Sequence, residues 1–203
     1  MLFPDVRARI SPAPAKDEIM MPLFVFLGIL AALVLWFVSI YNGLVRLRNV
    51  VDNAWAQIDV QLKRRHDLIP NLIETVKGYV GHERGTLEAV TKARTDAMRA
   101  QGPAEAGHAE AALTGALRGL MVNVERYPDL KASANFLALQ EELSSTENKI
   151  SFARQAYNDS VTRYNIQIQS IPANLVAGPA GFSKRELFEL TDEAERAVPQ
   201  VKF

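Results

Sequence analysis

The chain contains no cysteine. That absence excludes disulfides, zinc–thiolate sites, iron–sulfur clusters and thiol catalysis. It leaves the compartment open, because a cysteine-free protein is tolerated on either side of a membrane. An excess of one charge is missing too: 23 Lys and Arg face 23 Asp and Glu, for a formal net charge of zero. A nucleic-acid binder shows a basic excess or stripe, so that class is set aside. There are three histidines, His66, His82 and His108, and none falls in an HExxH motif. No Walker A, GxGxxG or GxSxG sequence occurs, and those are the short motifs that carry phosphate, dinucleotide or acyl-transfer chemistry. No alternating run long enough for a convincing strand is present. The expectation is a non-enzymatic protein with no cofactor and no metal.

One metal-like spacing does occur, Glu105-x-x-His108. A di-iron bundle needs that motif twice with two further glutamates. Here it stands once, beside Pro103 and Gly107, and reads as solvent-exposed loop. His66-Asp67 is no better as a dyad, since adjacent helical residues point in different directions. Solvated helix surface is the expectation for both.

What the chain has in quantity is one apolar run. No charged residue falls between Ile19 and Val45, and Leu23 to Ile40 is interrupted only by Gly28 and Ser39. A spanning helix needs about 20 apolar residues, at about 1.5 Å each, to cross about 30 Å of hydrocarbon. A cleaved signal peptide would be shorter and end in an A-x-A-like site, which does not follow this run. Trp36, Tyr41, Arg46 and Arg48 are read as membrane-interface anchors, aromatic and basic residues at one end of the span. Arg46, Arg48, Lys63, Arg64 and Arg65 outnumber Arg7, Arg9 and Lys16, which favours an outer N-terminus and a cytoplasmic C-terminal domain. Met20 and Met21 offer an alternative start that would remove the N-terminal charges. Lys63–Arg65 sit too far along a straight helix for headgroups and are expected to ion-pair within the bundle. Gly28 with Ala32, and Ser39 with Gly43, match small-xxx-small spacing, a weak pointer to oligomers.

Beyond the run, apolar residues keep helical spacing at Leu47, Val51, Ala54, Ile58, Leu62, Leu68, Ile69, Leu72, Val76 and Tyr79, a one-sided stripe. Nothing breaks a helix between Val45 and His66, so the span is expected to continue into the domain, with a bend at Pro70. Gly78, Gly81 and Gly85 mark a break. A second helix puts Leu87, Val90, Ala97 and Met98 inward, and a third Leu113, Leu117, Leu120 and Val124. Then Phe136, Leu143, Ile150, Tyr157, Tyr164 and Ile171 repeat every seven residues, with Leu139, Thr146, Ala153 and Ser160 between them. This is coiled-coil-like spacing over about 36 residues, stopped by Pro172. An acidic tail follows.

Four stretches are familiar: Arg64 to Glu83 (RRHDLIPNLIETVKGYVGHE), Glu147 to Asn165 (ENKISFARQAYNDSVTRYN), Ile171 to Gly178 (IPANLVAG) and Val198 to Phe203 (VPQVKF). On these the chain resembles the LemA family of bacterial membrane proteins. The resemblance implies a single N-terminal span in the bacterial inner membrane, a short outer N-terminus, an antiparallel helical bundle and no catalytic residues. A relative in magnetic bacteria is associated with forming organelle membranes, which makes membrane organisation the implied theme.

Residues and resemblance together give an all-α chain in four parts. Residues 1–19 are expected to be disordered, 20–45 to form the transmembrane helix, 46–172 a bundle of about four long helices, and 173–203 a partly ordered tail. The expected partners are the lipid bilayer, further copies of the chain as a homo-oligomer, and an unidentified membrane protein if it serves as an adaptor.

Overall fold

The computed structural model describes residues 16–79 and 84–189. The segment 1–15, His82 and the tail from 190 to 203 lie outside the described residues. The helices are α1 Lys16–Lys77, α2 Arg84–Arg99, α3 Gly102–Val124, α4 Pro128–Lys131, α5 Ala134–Gln169 and α6 Asn174–Ala177. Among the described residues there is no strand, and the fold is all-α as expected.

The chain divides after Gly43 into two compact units. The described part of the first is helix, apolar all round from Ile19 onward. From Met20 to Ser39 every side chain is exposed, and the mean hydropathy of its most apolar stretch is 2.8. A helix hydrophobic on every face has its low-energy environment in lipid or inside a large core. This one is long and apolar enough to cross a membrane, and none of it is buried by protein.

In the second unit α1 becomes amphipathic. Leu44, Val51, Ile58, Leu62, Ile69, Leu72 and Val76 are buried, at the separations of three, four and seven that keep side chains on one face. Ile69, Leu72, Ile73 and Val76 pack with Leu87, Val90 and Ala97 of α2, Leu113, Leu117, Leu120 and Val124 of α3, Leu130 of α4 and Phe136 of α5. The connection from α2 to α3 is short enough to make an antiparallel hairpin, and Gly102 opens α3 at φ +78°, a backbone region that a side chain would disfavour. Two expected inward positions are corrected. Met98 is 56% and Tyr79 47% exposed: Ala97 takes the inward place beside Met98, and Tyr79 lies past the end of α1.

Thirty-six residues form α5. Phe136, Ile150, Tyr157 and Tyr164 are buried and Leu143 is half-buried. Ile171 must be corrected: it is 82% exposed, beyond the last helical residue. The companion positions shift as well, from Thr146 to Val161 and Ile168, one place later than a strict heptad. A straight helix drifts by about 20° per heptad, so a long α5 rotates its buried stripe rather than coiling.

Pro70 lies inside α1 and cannot donate to the His66 carbonyl four residues back. That carbonyl instead accepts from the Arg94 Nε–H of α2, at 2.7 Å. The missing helical bond thus becomes an inter-helix bond. Arg94→Met should cost about 1–2 kcal/mol in denaturant unfolding. In a Pro70→Ala background, where the main chain at position 70 regains an N–H, the cost should shrink by about half or more. An unchanged cost would show that Arg94 does not substitute for the absent amide.

Candidate functional site

Midway along the second unit, polar groups replace the apolar stripe. Arg65 and His66 of α1 are 4% and 8% exposed, and Glu110 of α3 is 1% exposed. Arg65 donates to Glu110 Oε2 at 3.1 Å and to the Thr114 hydroxyl at 2.9 Å, and it pairs with Glu147 of α5 at 3.1 Å. His66 Nε2 lies 2.6 Å from the other Glu110 oxygen. An ionised Glu110 accepts on both oxygens only when Nε2 carries the proton. Three helices meet in this network. A buried ion pair adds little net stability, but separating its members leaves a charge buried alone. Its effect is therefore to penalise any slip of α1 against α3.

The expectation for His66 was solvated surface, and it is corrected: the side chain is buried against Glu110. Glu105 and His108 lie on α3 rather than in a loop, and both are exposed. Arg64 ion-pairs with Glu142 at 2.6 Å. Trp36 and Tyr41 are exposed on the first unit. Arg46 is exposed, whereas the Arg48 guanidinium lies over the Phe182 ring at 5.3 Å.

That ring belongs to residues beyond α6, where a partly ordered tail is expected. Residues 182–189 run without helix along α5 and are held by two Tyr-Asn pairs seven residues apart. Tyr157 donates to the Glu186 carbonyl at 2.8 Å and Tyr164 to the Ser183 carbonyl at 3.0 Å. Asn158 donates to the Phe188 carbonyl and accepts from its N–H, at 3.1 and 2.9 Å. Asn165 does the same with Arg185, at 2.8 and 2.9 Å. Seven helical residues advance about 10.5 Å and three extended residues about 9.9 Å, so the two registers match. Phe188 is fully buried, with its ring centroid 6.1 Å from that of Trp55, and Arg185 reaches Asp52 of α1 at 3.0 Å. At the far end the Glu189 backbone crosses Gly107 of α3 so closely that a Cβ there would collide with it. Burial pushes the Tyr157 hydroxyl up from 10.0 to about 12, against the nearby Arg185 charge. Burial raises Tyr164 too.

Two open grooves flank these features. One, of about 580 Å³ between α3 and α5, is lined by Leu117, Met121, Val122 and Leu143 with Arg65 and Glu147 at its edge. The other, of about 630 Å³ between α1 and α5, is lined by Ala56, Val60, Gln61, Phe152 and Ala156.

Gly107→Ala should push the end of the 182–189 segment off α3 and cost about 1–3 kcal/mol in unfolding. Protease sensitivity at Lys184 and Arg185 should rise with it; a wild-type digestion pattern would contradict the close crossing. A tyrosine whose folded pKa is raised contributes stability that is present below pH 10 and lost as pH rises through about 12. In a Trp36→Phe chain, Trp55 fluorescence should therefore change between those values as the segment loosens. Tyr157→Phe should remove most of that transition at a cost of about 1 kcal/mol near neutral pH.

The LemA family model matches residues 54–203. Protein LemA of Metamycoplasma hominis is 28% identical over 175 residues, covering 83% of this chain and 78% of that protein. Magnetosome protein MamQ 2 of Paramagnetospirillum magneticum is 23% identical over 175 residues, and magnetosome protein MamQ of Magnetospirillum gryphiswaldense is 24% identical over 174. In both cases 73% of this chain is covered, and the match spans 64% of the magnetosome protein's own length. The matched region contains the buried network on Arg65, His66, Glu110 and Glu147 and both Tyr-Asn clamps. With three quarters of its length matched, the chain belongs to the LemA family.

Proposed function

We propose that this chain is a non-enzymatic, single-pass scaffold of the bacterial inner membrane that self-associates and takes part in organising the membrane. Its N-terminus lies outside and its bundle in the cytoplasm, the side favoured by Arg46, Arg48 and Lys63–Arg65. The observation that carries self-association is the α1–α5 groove. Phe152 is 74% and Val60 61% exposed there. Exposed apolar area gathered in one groove suits a further protein surface. Relatives named as magnetosome proteins fit the membrane theme.

An adaptor docking another envelope protein or a protease is the second reading, favoured by the groove between α3 and α5. Deleting residues 173–203 does not test it cleanly, because Phe182, Phe188 and Val176 are buried in the bundle.

Since the chain has no cysteine, Phe152→Cys places a single thiol in the α1–α5 groove. Oxidation in native membranes should yield a covalent dimer, and Phe152→Glu should reduce the larger species seen after amine crosslinking. A strict monomer in both assays would sink self-association through this face.

A further inference from the structure

Within the second unit α5 runs antiparallel to α1. Arg65 pairs with Glu147 and Trp55 packs on Tyr157. Closer to the start of the unit, Asp52 and Arg48 meet Arg185 and Phe182, residues held by or next to the Asn165 and Tyr164 clamps. Falling numbers on α1 thus match rising numbers on α5. From Trp55 back to Leu44 is about 16 Å of helix, and from Tyr157 on to Gln169 about 18 Å. The turn that follows α5 therefore lies at the Leu44 end of the unit. Leu44 is bonded directly to the last residue of the apolar unit, so chain connectivity alone keeps this end near the bilayer if the apolar run spans it.

Two independent features mark this end. Ile171, in the turn after α5, and Leu175, on α6, are 82% and 67% exposed. Charge is the second. Residues 44–51 and 160–185 contain Arg46, Arg48, Arg163, Lys184 and Arg185 and neither Asp nor Glu, in a chain whose charges balance over its whole length. The nearest acid on α1, Asp52, is taken up by Arg185. Arg46, Arg163 and Lys184 are exposed. Apolar tips within a basic surround match the boundary between acyl chains and anionic headgroups, where each chemical type finds its own layer.

We propose that the turn after α5 together with α6 is a second membrane contact: Ile171 and Leu175 enter the headgroup region, and Arg46, Arg163 and Lys184 lie against the phosphates of anionic lipid. This rests on the reading of the apolar helix as a membrane span. The turn adds a lateral foothold, so the bundle touches the bilayer at two points rather than one.

The absence of native cysteine makes the test direct. Full-length Leu175→Cys carries an environment-sensitive fluorophore and is reconstituted at one chain per nanodisc, in phosphatidylcholine with or without phosphatidylglycerol. Leu137→Cys, an exposed position at the other end of α5, is the reference. The expected result is several-fold stronger quenching by a lipid-attached quencher at position 175 than at 137. That excess should fall when phosphatidylglycerol is left out, and also in an Arg163→Gln, Lys184→Gln chain. Equal quenching at the two positions, in chains that stay in the disc, overturns the proposal and leaves the span reading intact. Chains lost from the disc count against both. A position-175 label shielded from the lipid quencher and from aqueous iodide alike assigns the turn to a protein contact and also overturns it, and quenching indifferent to lipid charge removes the role of the basic residues.

Discussion

A carboxylate that is 1% exposed, as Glu110 is, must have partners for both oxygens, and the arrangement of the bundle follows from where they come from. Arg65 and His66 approach from α1, and Arg65 reaches on to Glu147 of α5. One level of the second unit is thereby locked across three helices. On one side of that level the core is an ordinary four-helix interior. On the other, α2 and α3 end beside Trp55 and Asp59. The space beside α1 and α5 is filled by α6 and the extended segment, whose Phe182 and Phe188 take the core positions a helix would have supplied. The segment arrives at α3 near Gly107, where the two coverings meet.

Most of the helical framework was legible because packing dictates spacing. The inward stripes of α1 and α3 and the length of α5 follow from apolar periodicity and from Pro172. The buried network left a signal that a search for apolar residues passes over. Glu110 occupies a place in the series Ala106, Leu113, Leu117, Leu120 and Val124, and Arg65 one in the series Ile58, Leu62, Ile69 and Leu72. A charge on an inward stripe is a prompt to look for its counter-charge on another. His66 carries the same mark: it lies four residues after Leu62, three before Ile69 and seven before Ile73, all buried, and the tertiary fold sets it against Glu110.

The seven-residue spacing on α5 follows a buried face at Phe136, Ile150, Tyr157 and Tyr164 but not at Ile171, and it does not reveal what covers that face. Coiled-coil spacing implies a facing helix, yet over the second half of α5 extended chain shares the buried face with α1. The doublets Tyr157-Asn158 and Tyr164-Asn165 carried that information. A hydroxyl and a carboxamide repeated at seven residues are poor knobs for a helix interface and good donors for a backbone. The segment itself could not be read, because its residues show no period. Its position is set by α5, not by its own composition.

All the clamps address main-chain atoms of the segment: the Tyr hydroxyls reach carbonyls, and the Asn carboxamides bridge a carbonyl and an N–H of one residue. Side-chain identity enters at Phe182, Arg185 and Phe188, which meet Arg48, Asp52 and Trp55. Ser183, Lys184 and Glu186 are exposed and only their backbones are bound or passed over. The segment is therefore a template with three specified letters and open ones between them. Its surface chemistry can change, whether by drift among relatives or by deliberate labelling, while its seat on the bundle stays the same.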